Sequence, residues 1–187
     1  MYAKFWKRFF DFTLSLLALI VLSPILLILT VVGAIAMRGN PFFVQARPGK
    51  IDKKTGKEKI FKLIKFRTMS NKRDKDGNLL PDAERLNGYG RFLRKTSLDE
   101  LGELVNIVKG DMAIVGPRPL LVAYLPRYSA RQRRRHEVRP GLTGYAQAYG
   151  RNSLTWEEKF EKDVYYVDNL SFWLDVKIIF KTISVVL

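Results

Sequence analysis

The chain has 187 residues, with 33 Lys and Arg against 18 Asp and Glu, a formal charge of +15 and a sequence pI near 10.1. That length accommodates one domain beyond a membrane segment, and the charge calls for polyanionic partners: anionic lipid, nucleic acid or phosphorylated substrates. Cysteine is absent and His136 is the single histidine, which excludes disulfides, thiolate zinc sites, cysteine nucleophiles and multi-histidine centres; any metal is held by oxygens, which favours magnesium or manganese.

Residues 12–37 carry no charge. About 20 apolar residues suffice to cross a hydrocarbon core, so length alone permits a single span. Two features favour another reading. Basic residues stand on both sides, Lys4, Lys7 and Arg8 before the run and Arg38, Arg47, Lys50, Lys53 and Lys54 after it, whereas a spanning helix shows them mainly on one. Ser23-Pro24 lies at the midpoint, where Pro24 lacks an N–H and its ring clashes with the carbonyl of Ile20. Each half, roughly 16 Å of helix, reaches only to mid-bilayer, so residues 1–40 fit a re-entrant helix bent at Ser23 and Pro24. A cleaved signal peptide, suggested by the basic start and Ala34-Ile35-Ala36, meets an apolar region longer than such peptides carry.

Residues 41–187 form the remaining domain. Strands are expected over 42–45 and 60–68, making a hairpin around the polar stretch 49–59, followed by a surface loop at 70–81 and a basic segment at 91–95. Leu98, Leu101, Leu104, Val105 and Val108 recur at helical spacing and Gly110 supplies a stop. The pattern next predicts a helix over 120–137, a fixed non-helical path at 139–144 and a helix over 155–169. Residues 172–187 are mostly apolar, with Lys177 and Lys181 one turn apart and Asp175 opposing them. They fit an in-plane interfacial helix or a helix packed into the core equally well. The fold class is α+β: mainly helical, with a small β-hairpin, the re-entrant helix and interfacial amphipathic helices.

Chemistry gathers around Asp99. Ser97 with Glu100 three residues on reads as a capping box, which accounts for both residues but not for Asp99 in the first helical turn. A helix N-terminus favours negative charge there and equally suits a phosphate, so an ionised Asp99 beside phosphate fits a nucleophile or a metal ligand. Cations for phosphate are available at Lys65 and Arg67 on the second strand, Arg94, Arg118 and Arg151. Arg118 stands out because Pro117 and Pro119 restrict its backbone and present the guanidinium pre-organised. A solvated basic surface is the plain alternative for the others. Arg131, Arg133, Arg134 and Arg135 read as a lipid-facing or solvated stripe, and His136 as a surface or structural side chain.

Ser97-Leu98-Asp99-Glu100-Leu101, Lys109-Gly110-Asp111-Met112, Gly116-Pro117-Arg118-Pro119 and Arg139-Pro140-Gly141-Leu142-Thr143-Gly144 together resemble the bacterial sugar transferase family, the small monotopic phosphoglycosyl transferases. The resemblance runs from Lys7-Arg8 and Ser23-Pro24, through Phe66-Arg67-Thr68-Met69, to Asp163-Val164-Tyr165-Tyr166. It implies an enzyme at the cytoplasmic face of the bacterial inner membrane that moves sugar-1-phosphate from a UDP-sugar to a polyprenol phosphate such as undecaprenyl phosphate, releasing UMP at the first membrane step of glycoconjugate assembly. By that likeness Asp99 is the nucleophile that carries the phosphosugar and Glu100 its dyad partner. The same likeness implies Mg2+ at Asp99 and the diphosphate, and Lys65, Arg118, Arg151 and Asp163 match positions of the family's polar active-site set. Where many relatives have Pro-Gln after the dyad leucine, this chain has Gly102-Glu103, expected to loosen the helix and add negative charge. No zinc spacing, helix-turn-helix or RRM signature accompanies the charge, so the anionic bilayer rather than nucleic acid is the expected polyanion. The sugar, the glycan pathway and homo-oligomerisation stay open.

Overall fold

A computed structural model describes residues 2–150 and 153–186 of the chain. A π-helical turn, Tyr2–Trp6, leads into α1 (Lys7–Val21) and α2 (Ser23–Met37), which meet at an angle of 65°. The bend has a local chemical cause. Pro24 has no N–H for the carbonyl of Ile20, and the Ser23 hydroxyl donates to that oxygen instead, at 2.7 Å. Neither helix alone is long and apolar enough to cross a membrane; the bent pair passes by length and composition only when taken together. α2 leaves Leu27, Ile28 and Ile35 between 60% and 73% exposed, far beyond what a single scattered apolar residue presents.

α1 buries Lys7, Asp11 and Ser15, one turn apart on a single face. The ammonium of Lys7 meets Asp175 Oδ2 at 2.7 Å, Asp11 Oδ1 accepts the backbone N–H of Ile114 at 3.0 Å, and the Arg8 guanidinium donates to the carbonyls of Ile107 and Val108. Lys7 and Arg8 are therefore spent on the protein interior and on capping another helix. Among the described residues before the apolar run, Lys4 alone remains as a basic flank, so the two-sided basic pattern expected from sequence is weakened on that side.

β1 (Phe42–Ile51) and β2 (Glu58–Phe66) form the expected antiparallel hairpin, with Phe42 opposite Phe66 and Phe43 opposite Lys65. The first strand runs past 45 because an irregularity between Pro48 and Ile51 absorbs the proline, and the second ends at Phe66 rather than 68. The loop at 70–81 is tied by a bridge between Arg73 and Leu79. The one-turn helix α3 (Asp82–Arg85) comes next, then α4 (Gly88–Thr96), capped by Asn87 and carrying the basic segment.

The single helix expected from Leu98 to Val108 is two elements: a 3-10 turn, Leu98–Gly102, then α5 (Glu103–Lys109). Three residues per turn in the first part rotates the α-helix behind it, so Leu104 and Ile107 are buried while Val105 is 37% exposed. The short strands β3 (Ala113–Val115) and β4 (Gly141–Thr143) pair in parallel, a contact that sequence did not foresee. They cross so closely that a Cβ on Gly141 would lie 2.1 Å from the nitrogen of Gly116, which explains both glycines.

The helix expected over 120–137 is broken into a 3-10 turn, Val122–Arg127, containing Pro126, then α6 (Ala130–Arg133) capped by Ser129, then a second 3-10 turn, Arg134–Glu137. Proline cannot sustain an α-helix, and Ser129 starts a new one. The one-turn α7 (Tyr145–Ala148) precedes α8 (Trp156–Asp168), which has a complete capping box between Thr155 and Glu158. α9 (Phe172–Val186) buries Asp175 and Ile178 yet leaves Trp173 and Phe180 about 70% exposed, so the packed-core reading describes one of its faces and the other is left uncovered. Phe172 also contacts Tyr2 and Phe10, joining the exposed aromatic ends of α1 and α9. Three apolar clusters hold these parts together: Phe61, Leu63, Leu104, Ile107 and Met112; Val115, Ala148, Tyr166 and Ile178; and Leu29, Phe66 and Leu93.

Candidate active site

The hairpin, the 3-10 turn and the loop after β3 converge on Glu100. Its Oε1 accepts from Lys65 Nζ and from Arg118 Nη2, each at 2.9 Å. Lys65 also reaches Glu103 Oε1 at 2.9 Å. The turn can lie this close to β2 because residue 102 is glycine: a Cβ there would stand 2.8 Å from the carbonyl oxygen of Ile64. Gly102, read from sequence as a loosening residue, is thus what brings the dyad to the lysine. Asn106, fully buried, fixes α5 to the same strand by accepting from the Ile64 N–H at 2.9 Å and donating to the Lys62 carbonyl at 2.8 Å.

Ser97 has φ 56° in the left-handed region and makes no side-chain cap, so the expected capping box is absent. The residue ends α4 instead of starting α5, and Glu100 is released to the cations. Asp99 sits half-buried in the 3-10 turn and not in the first turn of an α-helix. Burial pushes its carboxyl above the usual range; Lys65 pulls it back and Glu100 pushes it further up. The α-helix N-terminus expected around Asp99 from sequence is thus corrected to a 3-10 turn. Glu100 lies below the usual range: burial raises it, but Arg118 and Lys65 together outweigh that cost. Glu103 is pushed up to about 7, by burial first.

The backbone around Arg118 is fixed from three sides. The Pro117 carbonyl accepts from the Gly141 N–H, the Pro119 carbonyl from Arg47, and the Arg118 carbonyl from Arg135 at 2.8 Å. Arg135 in turn donates to Asp163 Oδ2 through Nε at 3.0 Å and Nη2 at 2.7 Å, with both side chains buried. Asp163 therefore stands one step behind Arg118. Sequence reasoning placed Arg135 on a solvated stripe and missed this link; its partner is 28 positions away, and no local pattern marks it. The other members of that stripe are also paired, Arg131 with Glu161, Arg133 with Glu58 and Arg134 with Asp168. His136 is buried, its Nδ1 3.1 Å from the Gly49 carbonyl, and burial lowers its pKa to about 4. The structural reading of this histidine holds and the surface reading does not.

A cleft of about 720 Å³ runs beside these groups, with Glu100, Arg118, Arg94, Asp163, Trp156 and Phe160 among its walls. Asp99 adjoins Glu100 but is not one of the lining residues. Arg94 is exposed in the last turn of α4, hydrogen-bonded to Thr68; Arg67 is half-buried just past the end of β2, not on the strand; Arg151 lies outside the described residues. Among the described residues no group of three or more carboxylates or histidines is arranged to hold a metal ion.

The family described as bacterial sugar transferase matches residues 2–187. Among similar proteins, the uncharacterized sugar transferase EpsL of Bacillus subtilis (strain 168) is 51% identical over 181 residues, 97% of this chain and 87% of that protein. The UDP-galactose-lipid carrier transferase of Erwinia amylovora is 37% identical, covering 99% of this chain and 41% of its own length. The undecaprenyl-phosphate galactose phosphotransferase of Salmonella typhimurium is 36% identical with the same two shares. The chain spans most of EpsL but only about two fifths of the two longer proteins.

Proposed function

Because the chain belongs to the bacterial sugar transferase family, we propose that it transfers sugar-1-phosphate from a UDP-sugar to a polyprenol phosphate such as undecaprenyl phosphate, releasing UMP and giving a polyprenyl-diphosphate-sugar for glycan assembly. The observation that carries this reading is Glu100 gripped by Lys65 and Arg118 next to Asp99, at the wall of a cleft roomy enough for a nucleotide sugar. Phosphoryl transfer depends mainly on positioning and charge neutralisation, and this corner supplies both.

In the first step a carboxylate oxygen of Asp99 attacks the phosphorus that bears the sugar; the Asp99–phosphorus bond forms, the diphosphate bridge breaks, and UMP departs with the bridging oxygen. In the second, a phosphate oxygen of the polyprenol phosphate attacks that phosphorus and Asp99 leaves as carboxylate. Arg118 offers donors to the phosphate oxygens from a backbone that cannot swing away. Magnesium commonly binds through one or two carboxylates plus substrate phosphates, so the lack of a three-residue cage among the described residues is compatible with Asp99 as its protein ligand. When bound, it would neutralise charge on the diphosphate.

Incubation with UDP-sugar alone should release one UMP per chain and add a sugar-phosphate mass to Asp99. Asp99→Asn should lower turnover about 10³-fold or more; normal turnover in that variant would sink the covalent mechanism. The bent α1–α2 pair and the exposed aromatics of α9 support a monotopic placement on the cytoplasmic face, with both ends of the N-terminal hairpin on one side. Cysteines introduced near Ala3 and Asp52 should both resist periplasmic labelling in spheroplasts, and labelling of one alone would establish a span.

A further inference from the structure

One ammonium serves two carboxylates here. Lys65 Nζ lies 2.9 Å from both Glu100 and Glu103. Glu100 has Arg118 as a second cation, whereas Glu103, with a side chain only 4% exposed, has Lys65 as its sole ion-pair partner among the described residues. The charged groups acting on Glu103 are Lys65 from β2, Glu100 from the 3-10 turn, Arg118 from the loop after β3, and Arg47 from β1. Three acids, Asp99, Glu100 and Glu103, thus share the two cations Lys65 and Arg118, and Glu103 is the member furthest inside.

We propose that Glu103 is a positioning residue for donor binding: it acts through Lys65, dividing that ammonium between itself and the diphosphate of the incoming nucleotide sugar. The inference rests on the cleft being the nucleotide-sugar site and extends that reading to how the site is regulated. Glu103 itself need not touch the donor.

The charges dictate the sign. Burial holds Glu103 at about 7. Below that pH it is neutral, and the charge of Lys65 is directed at Glu100 and the donor. Above it, an added carboxylate claims the ammonium and repels phosphate, so affinity for a diphosphate falls as pH rises. His136, at about 4, is already neutral throughout this range.

Binding of UDP-glucose, whose phosphates stay ionised, is measured by calorimetry from about pH 6 to about pH 8.5 on Asp99→Asn protein, which keeps chemistry from intervening. Affinity should fall several-fold across that range, and the fall should vanish in Asp99→Asn/Glu103→Gln, where a neutral amide still accepts from Lys65. Lys65→Met in the same background should abolish it as well, which covers the case of a Glu103 variant that folds poorly. A fall that persists unchanged in either double variant, or no fall in the parent, overturns the proposal. If instead the native enzyme releases no UMP while the binding profile behaves as described, the transfer reading fails and this one stands.

Discussion

Two clusters of buried charge, one beneath α1 and one at the dyad, use the same residue types to opposite ends. Beneath α1 the groups around Asp175 are closed off: Asp175 accepts from Lys7 and Tyr2 on one oxygen and from Tyr166 on the other, with the Tyr166 hydroxyl also 3.0 Å from the carbonyl of Val115, while Asp11 Oδ2 is buried 3.8 Å from Lys7. Lys7 and Asp175 keep less than a tenth of their side-chain surface. At the dyad the acids outnumber the cations, and Arg118 keeps 47% of its side chain exposed. The closed cluster binds chain segments 168 positions apart, and none of its groups lines the cleft. The open one presents the donors of Arg118 to a cleft, where a diphosphate can use them, and spare carboxylate beside it, which a cation can use.

The largest effect should come from breaking the closed cluster. Asp175→Ala leaves the ammonium of Lys7 and the hydroxyl of Tyr166 buried without their carboxylate, and should cost about 3–5 kcal/mol, read as a large drop in melting temperature of the purified protein. A normal melt would mean that the cluster beneath α1 does not hold the fold and that the two clusters are alike. Next is His136, buried away from both clusters with its Nδ1 against the Gly49 carbonyl of β1. Its folded pKa, about 4, lies below its ordinary 6.5. The stability it contributes is therefore fully present above 6.5 and is lost as pH falls towards about 4, a change of about 3 kcal/mol that denaturation at stepped pH would show. His136→Gln should flatten that limb. The smallest effect belongs to the open side: Arg118→Lys keeps the charge but loses the planar fork, lowering kcat/KM by about 1.5–3 kcal/mol, roughly 10- to 100-fold, with the melt unchanged. If Arg118→Lys instead destabilises the fold while leaving kcat/KM alone, Arg118 is structural and the contrast between the clusters is lost.

Much of the candidate site was legible because its motifs are contiguous. Asp99-Glu100, and Arg118 between two prolines, are local patterns with local meaning, and the restriction of Arg118 expected from those prolines is found, reinforced by bonds to Gly141, Arg47 and Arg135. What misled was also local. Ser97 and Glu100 have the spacing of a capping box, yet Ser97 closes α4 in a left-handed conformation and Glu100 turns to cations from β2 and from the loop after β3. The energy of two charge-assisted contacts exceeds that of one cap, so tertiary pairing overrode the helical signal. Asn106 stands in the sequence as a lone polar residue within an apolar pattern, but its partners, the backbone of Ile64 and Lys62, have no signature there.

By itself, then, the amino-acid order determined the features whose causes lie within a few residues: the bend at Ser23-Pro24, where a missing N–H and a neighbouring hydroxyl act on one carbonyl; the capping box that starts α8; the hairpin; and the family motifs. Only the tertiary structure decided that Lys7 and Arg8 serve the interior rather than the lipid, that Asp163 supports Arg118 through Arg135, and that Glu103 competes for Lys65. Each of those depends on which distant charge a buried group meets, and burial makes that choice strong while sequence spacing leaves it unspecified.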